Sequence, residues 1–220
     1  MKYSKLDPYA KGSPTNQTRS RRMRFFTERM EKVARPVEIL DVGGREDFWV
    51  SLDLANMEGV TFTLMNLEIF EPRLPNMKYI TGNACKMPQY ADKSWEVVFS
   101  NSVIEHVGTF EDQCAMAREI MRVSKRYFIQ TPNRYFPIEP HALFPLFQFL
   151  PISLRIWLVT NKRIGPLGPT HDRAKAEAWV REMRLMTAAE LRKAFPGATI
   201  LREKYKGLTK SFMVVGGWND

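Results

Sequence analysis

The sequence predicts an α/β protein, a mostly parallel sheet with helices on both faces and an antiparallel last strand. Three observations carry this. Short apolar runs rich in β-branched residues alternate with longer amphipathic segments, the pattern of strand–helix–strand units. The first run, Val37-Glu38-Ile39-Leu40-Asp41-Val42, ends in Gly43-Gly44 and reads as a buried strand feeding a tight turn. Near the C-terminus two strands are joined by a link around Gly207, too short for the crossover that parallel neighbours need, so they should run antiparallel.

Each element can be justified in turn. A segment rich in Ser, Gly, Asn and Pro at 4–17 precedes a helix expected over 18–34. Pro36 closes that helix, because the residue before a proline avoids helical geometry. Strands are expected at 60–66, 78–80 and 95–100. The stretch 109–123 reads as a helix, with Phe110, Cys114, Ala117, Ile120 and Met121 near one face. A fifth strand at 127–130 stops at Thr131-Pro132. Thr187 with Glu190 forms a capping box that opens a helix to Phe195, which Pro196-Gly197 ends. The last two strands are expected at 199–204 and 211–215.

Composition narrows the functional class. The chain has 220 residues, 44% hydrophobic and 26% charged, which suits one globular domain. Its two cysteines, Cys85 and Cys114, fit neither a disulfide framework nor a zinc site, and a cytoplasmic setting is expected. With three histidines, His106, His141 and His171, no metal site is expected. The N-terminus lacks the apolar run of a secretory signal. The apolar stretch 135–159 is broken by prolines at 137, 140, 145 and 151 into pieces too short to span a bilayer.

The net charge of +9 is unevenly placed. Residues 1–36 hold ten Lys or Arg against three acids, so this arm carries +7. Such an arm suits an anionic partner, or else a solvated helix face that aids solubility. Peripheral contact with an anionic membrane, at the inner face, is the partner expected of it. Nucleic acid is not expected, because the positive charge does not continue along the rest of the chain.

The chemistry concentrates in four segments. Asp41-Val42-Gly43-Gly44 places an acid at a glycine turn beyond a strand's carboxyl end, where open α/β sheets bind ligands. An acid there repels a pyrophosphate and suits a cationic ligand. Ser100-Asn101-Ser102 and Glu105-His106 follow the fourth strand. Tyr135, Glu139 and His141 lie in an aromatic-rich insertion after the fifth, a mostly apolar wall with a few polar groups, as small-ligand pockets are built.

From about Ile39 to Val215 the chain resembles class I S-adenosylmethionine-dependent methyltransferases, in particular the type 11 branch. The stretch 39–47 resembles that family's acid-x-Gly-x-Gly-x-Gly motif, with Arg45 and Asp47 in place of the second and third glycines. Tyr79-Ile80-Thr81-Gly82-Asn83-Ala84 resembles its Gly-Asp-Ala segment, and Ser94 to Val107 its Ser-Phe-Asp-x-Val strand followed by Leu-Glu-His-Val. Thr131-Pro132-Asn133-Arg134 is similar to its Pro-Asn-Arg segment.

The resemblance implies a Rossmann-like sheet and S-adenosylmethionine as cofactor. Asp41, Gly43 and Gly44 would meet its amino-acid end, Asn66 or Glu68 its ribose, and Asn83 and Ala84 its adenine. Ser100 and Asn101 would flank the methionine portion. The organisation implied is a basic arm and helix at 1–36, a cofactor-binding half at 37–133, a helical cap shaping the acceptor pocket at 134–186, and a C-terminal helix and strand pair at 187–220. Methyl transfer by in-line displacement to a small-molecule, sugar or lipid-linked acceptor, at oxygen, is the expected activity. His141, His106 and Glu139 are the candidate bases. The alternative is a non-catalytic module or partner subunit with an altered cofactor site.

Overall fold

A computed structural model describes residues 14–164 and 169–218, with side chains of residues 14–18 left aside. Lys2, Lys5 and Lys11 of the basic arm lie outside the described residues. The first helix, α1, spans Pro14–Met30 and so begins four residues earlier than expected. A proline is well placed at a first helical position, where its missing N–H has no intrahelical partner anyway. The helix also ends earlier, because Lys32 N donates to Arg29 O and Val33 N to Met30 O, tightening the last turn.

The strands are β1 (Val37–Val42), β2 (Val60–Asn66), β3 (Met77–Thr81), β4 (Trp95–Asn101), β5 (Ser124–Pro132), β6 (Ile138–Glu139), β7 (Phe144–Pro145), β8 (Thr199–Tyr205) and β9 (Leu208–Gly216). The helices after α1 are α2 (Glu46–Ser51), α3 (Phe110–Val123), α4 (Ile152–Asn161), α5 (Arg173–Glu182) and α6 (Ala188–Ala194). Seven strands form one sheet in the order β3-β2-β1-β4-β5-β9-β8, mostly parallel with one antiparallel strand, as expected. β6 and β7 make a separate antiparallel pair.

Compactness divides the chain in two. The first unit comprises the described residues up to Asn101, with Arg118–Ile129 and those from Val215. Its core is aromatic. Phe26 packs on Phe99 at 5.1 Å between ring centroids, Trp49 on Phe62 at 4.6 Å, and Phe99 lies parallel to Phe128 at 5.5 Å. Each ring is fully buried, and burying one contributes about 1.5–3 kcal/mol. Within this unit β1 is flanked by β2 and β4 in parallel, with Asp41 level with both Leu64 and Phe99. The carboxyl ends of β1, β2 and β4 therefore lie side by side.

The second unit comprises Ser102–Ala117 and Gln130–Val214. Here α4 packs on α5 around Phe147, Ile156, Val159, Ala176 and Val180. Asp172 caps α5 by accepting from Ala174 N and Lys175 N, and the capping box of α6 is complete in both directions. Among the described residues no helix is long and apolar enough to cross a membrane.

Candidate functional site

The first unit holds the glycine turn. Gly43 has a φ of 74°, the left-handed region open to glycine, and its N–H donates to Met65 O at 2.7 Å. Gly44 is required for another reason: a Cβ there would stand 2.2 Å from Asp41 Oδ2. Asp41 is 2% exposed, and Trp49 Nε1 donates to its Oδ2 at 2.7 Å. Burial pushes the Asp41 carboxyl up to about 8, against the opposing pull of the Trp49 hydrogen bond. The acid of the motif is thus a neutral group folded inward beneath the glycines.

The two missing glycines also have a physical account. Arg45 is extended, with φ −131° and ψ 137°, a conformation any residue adopts. Its guanidinium lies over the Phe70 ring at 4.9 Å. Asp47 is already inside α2 and pairs with Arg73, whose Nε is 3.1 Å from Glu46 Oε2. Tyr79 takes part as well, its hydroxyl accepting from Glu46 N at 3.0 Å. Neither position imposes a backbone geometry that needs glycine.

Around this turn the other expected cofactor residues take distinct places. Asn66, ending β2, donates through Nδ2 to Gly44 O and so ties the turn to its neighbour strand. Glu68 is exposed just beyond it and has no partner among the described residues. Asn83 accepts from Cys85 N at 2.8 Å, which sets the turn that carries Ala84 and leaves its Nδ2 available. Ser100 is fully buried and donates to Val42 O at 2.9 Å, so it joins β4 to β1. Asn101 accepts from Arg22 Nη2 at 2.9 Å. Arg22 belongs to the basic arm, as do Arg29, stacked over Phe25 at 3.5 Å, and Arg35, which donates to Met30 O at 3.0 Å. Part of the arm is thereby anchored within the unit through uncharged partners.

The second unit gathers the candidate bases. Glu139 is 2% exposed, and its Oε1 lies 2.7 Å from His141 Nδ1. Its Oε2 accepts from His141 N at 2.8 Å and from Ala142 N. The carboxylate is held from three directions, and it fixes the imidazole with Nδ1 turned toward it. The His106 ring stands edge-on to His141 at 5.0 Å. Its Nδ1 lies 3.4 Å from Glu182 Oε1, an ion-pair distance without hydrogen-bond alignment. Burial lowers the His141 pKa, but the hydrogen bond and charge of Glu139, with Glu105 and Glu182 behind, outweigh it and raise the pKa above the ordinary value.

A fourth member escaped the candidate set. Glu105, fully buried, accepts from Thr131 Oγ1 at 3.0 Å, while its Oε1 has no partner. Burial raises its pKa against the pull of His106 and His141. The pair Glu105-His106 was the visible signal, but nothing local shows that His141, thirty-five residues on, joins it. Glu105, His106 and His141 each present a ligand atom within 4.8 Å of the others, a donor set able to hold a divalent ion through nitrogen and oxygen. His171, with a φ of 51°, lies apart from this group on an exposed turn before α5.

Comparison with known proteins agrees with this architecture. Residues 40–127 match the family model described as a methyltransferase domain. The chain superposes on the CMeT domain of the citrinin polyketide synthase with TM-score 0.59 at 14% identity, covering 96% of this chain and 55% of that one. A protein from Bordetella parapertussis gives TM-score 0.53 at 13% identity, over 89% of this chain and 66% of that one. A SAM-dependent methyltransferase from Aquifex aeolicus gives 0.50 at 14% identity, over 97% and 95%. This chain thus spans about half to two thirds of the first two. A comparison with curated protein sequences returns no match. At these identities the structures speak for the fold, and the family model for the domain. Residues 40–127 thus match a methyltransferase domain, and the fold of the chain is that of class I methyltransferases.

Proposed function

We propose that the chain methylates an oxygen of a small-molecule, sugar or lipid-linked acceptor, with His141 as the base that takes the hydroxyl proton. The buried Glu139 carboxylate fixed 2.7 Å from His141 Nδ1 carries this reading. With Nδ1–H donated to Glu139, Nε2 is the basic nitrogen, and Glu139 stabilises the imidazolium formed when the proton arrives. His106 stands edge-on to the same ring. Bound S-adenosylmethionine supplies an electrophilic methyl group on its sulfonium.

Toward that cofactor the first unit offers a fitting set. Glu68 is a free carboxylate for paired hydroxyls and Asn83 keeps a free amide for adenine, while Gly44 lets the turn close over Asp41. Asp41 is neutral while buried, and an arriving ammonium would favour its ionised form. The single domain of 1–220, with its cap at 134–186 shaping the acceptor pocket, belongs to the same proposal. So do a cytoplasmic setting and contact of the basic arm with an anionic membrane at the inner face.

The test is transfer of labelled methyl to hydroxylated, sugar and glycolipid acceptors. His141→Ala should lower turnover about 10²–10⁴-fold with S-adenosylhomocysteine affinity unchanged. Equal turnover in the variant and the parent would remove His141 from the reaction.

A further inference from the structure

The second unit contains a cavity of about 220 Å³ lined in part by Arg134, Gln148, Arg155 and Arg184, with Phe147 and Val180 from the α4–α5 core at its wall. The three arginines are not equivalent. Arg184 is neutralised by Glu190 and donates to Gln113 Oε1 at 2.6 Å. Arg134 and Arg155 have no carboxylate partner among the described residues. Glu139 also lines the cavity, but its two oxygens are engaged by His141 and by Ala142 N. Two guanidiniums thus share one small space, and the one carboxylate at its wall, Glu139, is turned to His141 and Ala142.

The surroundings fix the Arg134 backbone and the Gln148 amide. Arg134 is fixed through its backbone, its N–H donating to Met186 O at 3.1 Å. Gln148 Nε2 donates to Arg134 O at 2.9 Å and to Phe136 O at 2.8 Å, which orients the amide. That orientation leaves Gln148 Oε1 buried and without a partner, and Arg155 Nε is buried and unpartnered too. Like charges side by side and orphaned polar atoms are both costly unless a ligand answers them.

A second observation gives the ligand's other half. Of the thirteen large hydrophobic side chains exposed among the described residues, eight fall within 135–157, including Ile138, Leu146, Phe149 and Trp157. The only full charges in that stretch are the buried Glu139 and Arg155 itself. Clustered exposed apolar residues of this kind mark a surface that meets an apolar partner. At about 220 Å³ the cavity lies below the roughly 300–1,000 Å³ usual for drug-sized ligands, so it suits a head group more than a long chain.

We propose that this cavity binds the phosphate head of an amphiphile, gripped by Arg134 and Arg155, whose apolar chain lies outside along the 135–157 surface. The planar guanidinium fork matches phosphate oxygens in pairs. A head-group hydroxyl would donate to Gln148 Oε1. The site stands without the methyl-transfer reading. It rests on that reading only in naming the lipid phosphate as the acceptor's class.

Binding alone tests it, on the full chain. Dihexanoyl phosphatidate, kept monomeric, should bind saturably and at least tenfold tighter than inorganic phosphate, and dihexanoylglycerol should not bind. Arg134→Gln and Arg155→Gln should each weaken phosphatidate about tenfold or more, while S-adenosylhomocysteine affinity and the circular dichroism spectrum stay as in the parent. Phosphatidate binding that survives both substitutions, or no saturable binding of any phosphate, would overturn the site. Equal affinity for phosphatidate and inorganic phosphate would overturn the amphiphile and point to a free phosphorylated metabolite. A chain that binds phosphatidate but methylates nothing would sink the earlier reading and leave this one standing.

Discussion

Trp49 Nε1 donates to Asp41 Oδ2 at 2.7 Å inside the aromatic core of the first unit. Burial raises this carboxyl to about 8, so the folded chain holds it neutral at pH values where an unfolded chain has ionised it. The sign follows from linkage. Between about pH 4 and pH 8 the folded state keeps a proton that the unfolded state has released, so stability falls as pH rises through that window. The effect is on the order of a few kcal/mol at its upper end. Asp41→Asn keeps an acceptor for Trp49 and removes the ionisable group. Its melting temperature should fall less than the parent's between pH 4 and pH 8, and parallel curves would contradict the assignment.

The same carboxyl makes Gly44 a sensitive position. A methyl group there would stand 2.2 Å from Asp41 Oδ2, so Gly44→Ala must displace Asp41 and break its bond to Trp49. Urea unfolding should show a loss of about 2–3 kcal/mol, the usual cost of overpacking combined with an unmet buried donor. A change below about 0.5 kcal/mol, the size of a neutral surface substitution, would mean that the turn relaxes at no cost.

In the second unit, the Glu139–His141 pair sets a pH profile. His141 must be deprotonated to accept a proton, and its pKa is raised above the ordinary histidine value. The rising limb of kcat/KM for a hydroxyl acceptor should therefore lie above about pH 6.5. Glu139→Gln removes the negative charge that holds the proton on His141, so the limb should move to lower pH. A limb that stays in place, or moves up, would show that His141 does not control the rate.

Much of the sheet was legible because its strands are locally determined. β1 and β2 are apolar runs closed by glycine turns or polar residues, and their observed bounds match the expected ones. The capping box of α6 was legible for the same reason. β5 was read too short, at 127–130 instead of Ser124–Pro132. Its first residues include Lys125 and Arg126, charges that argue against a strand until Glu96 of β4 pairs with both. The cap was expected to be helical, but α4 and α5 were not delimited, because each is shaped by packing on the other. At the site, the glycine turn and the Glu105-His106 pair stood out in sequence. That Asp41 turns inward onto Trp49, or that His141 meets His106, depends on tertiary contacts that no local pattern encodes.

The central claim is that a chain lacking two of the motif glycines still receives S-adenosylmethionine, because Arg45 is extended and Asp47 helical where those glycines would stand. Calorimetric titration of the full chain with S-adenosylhomocysteine tests it most directly. We expect one site with micromolar affinity, and tenfold or weaker binding in Gly44→Ala. No heat of binding at millimolar ligand would contradict the account.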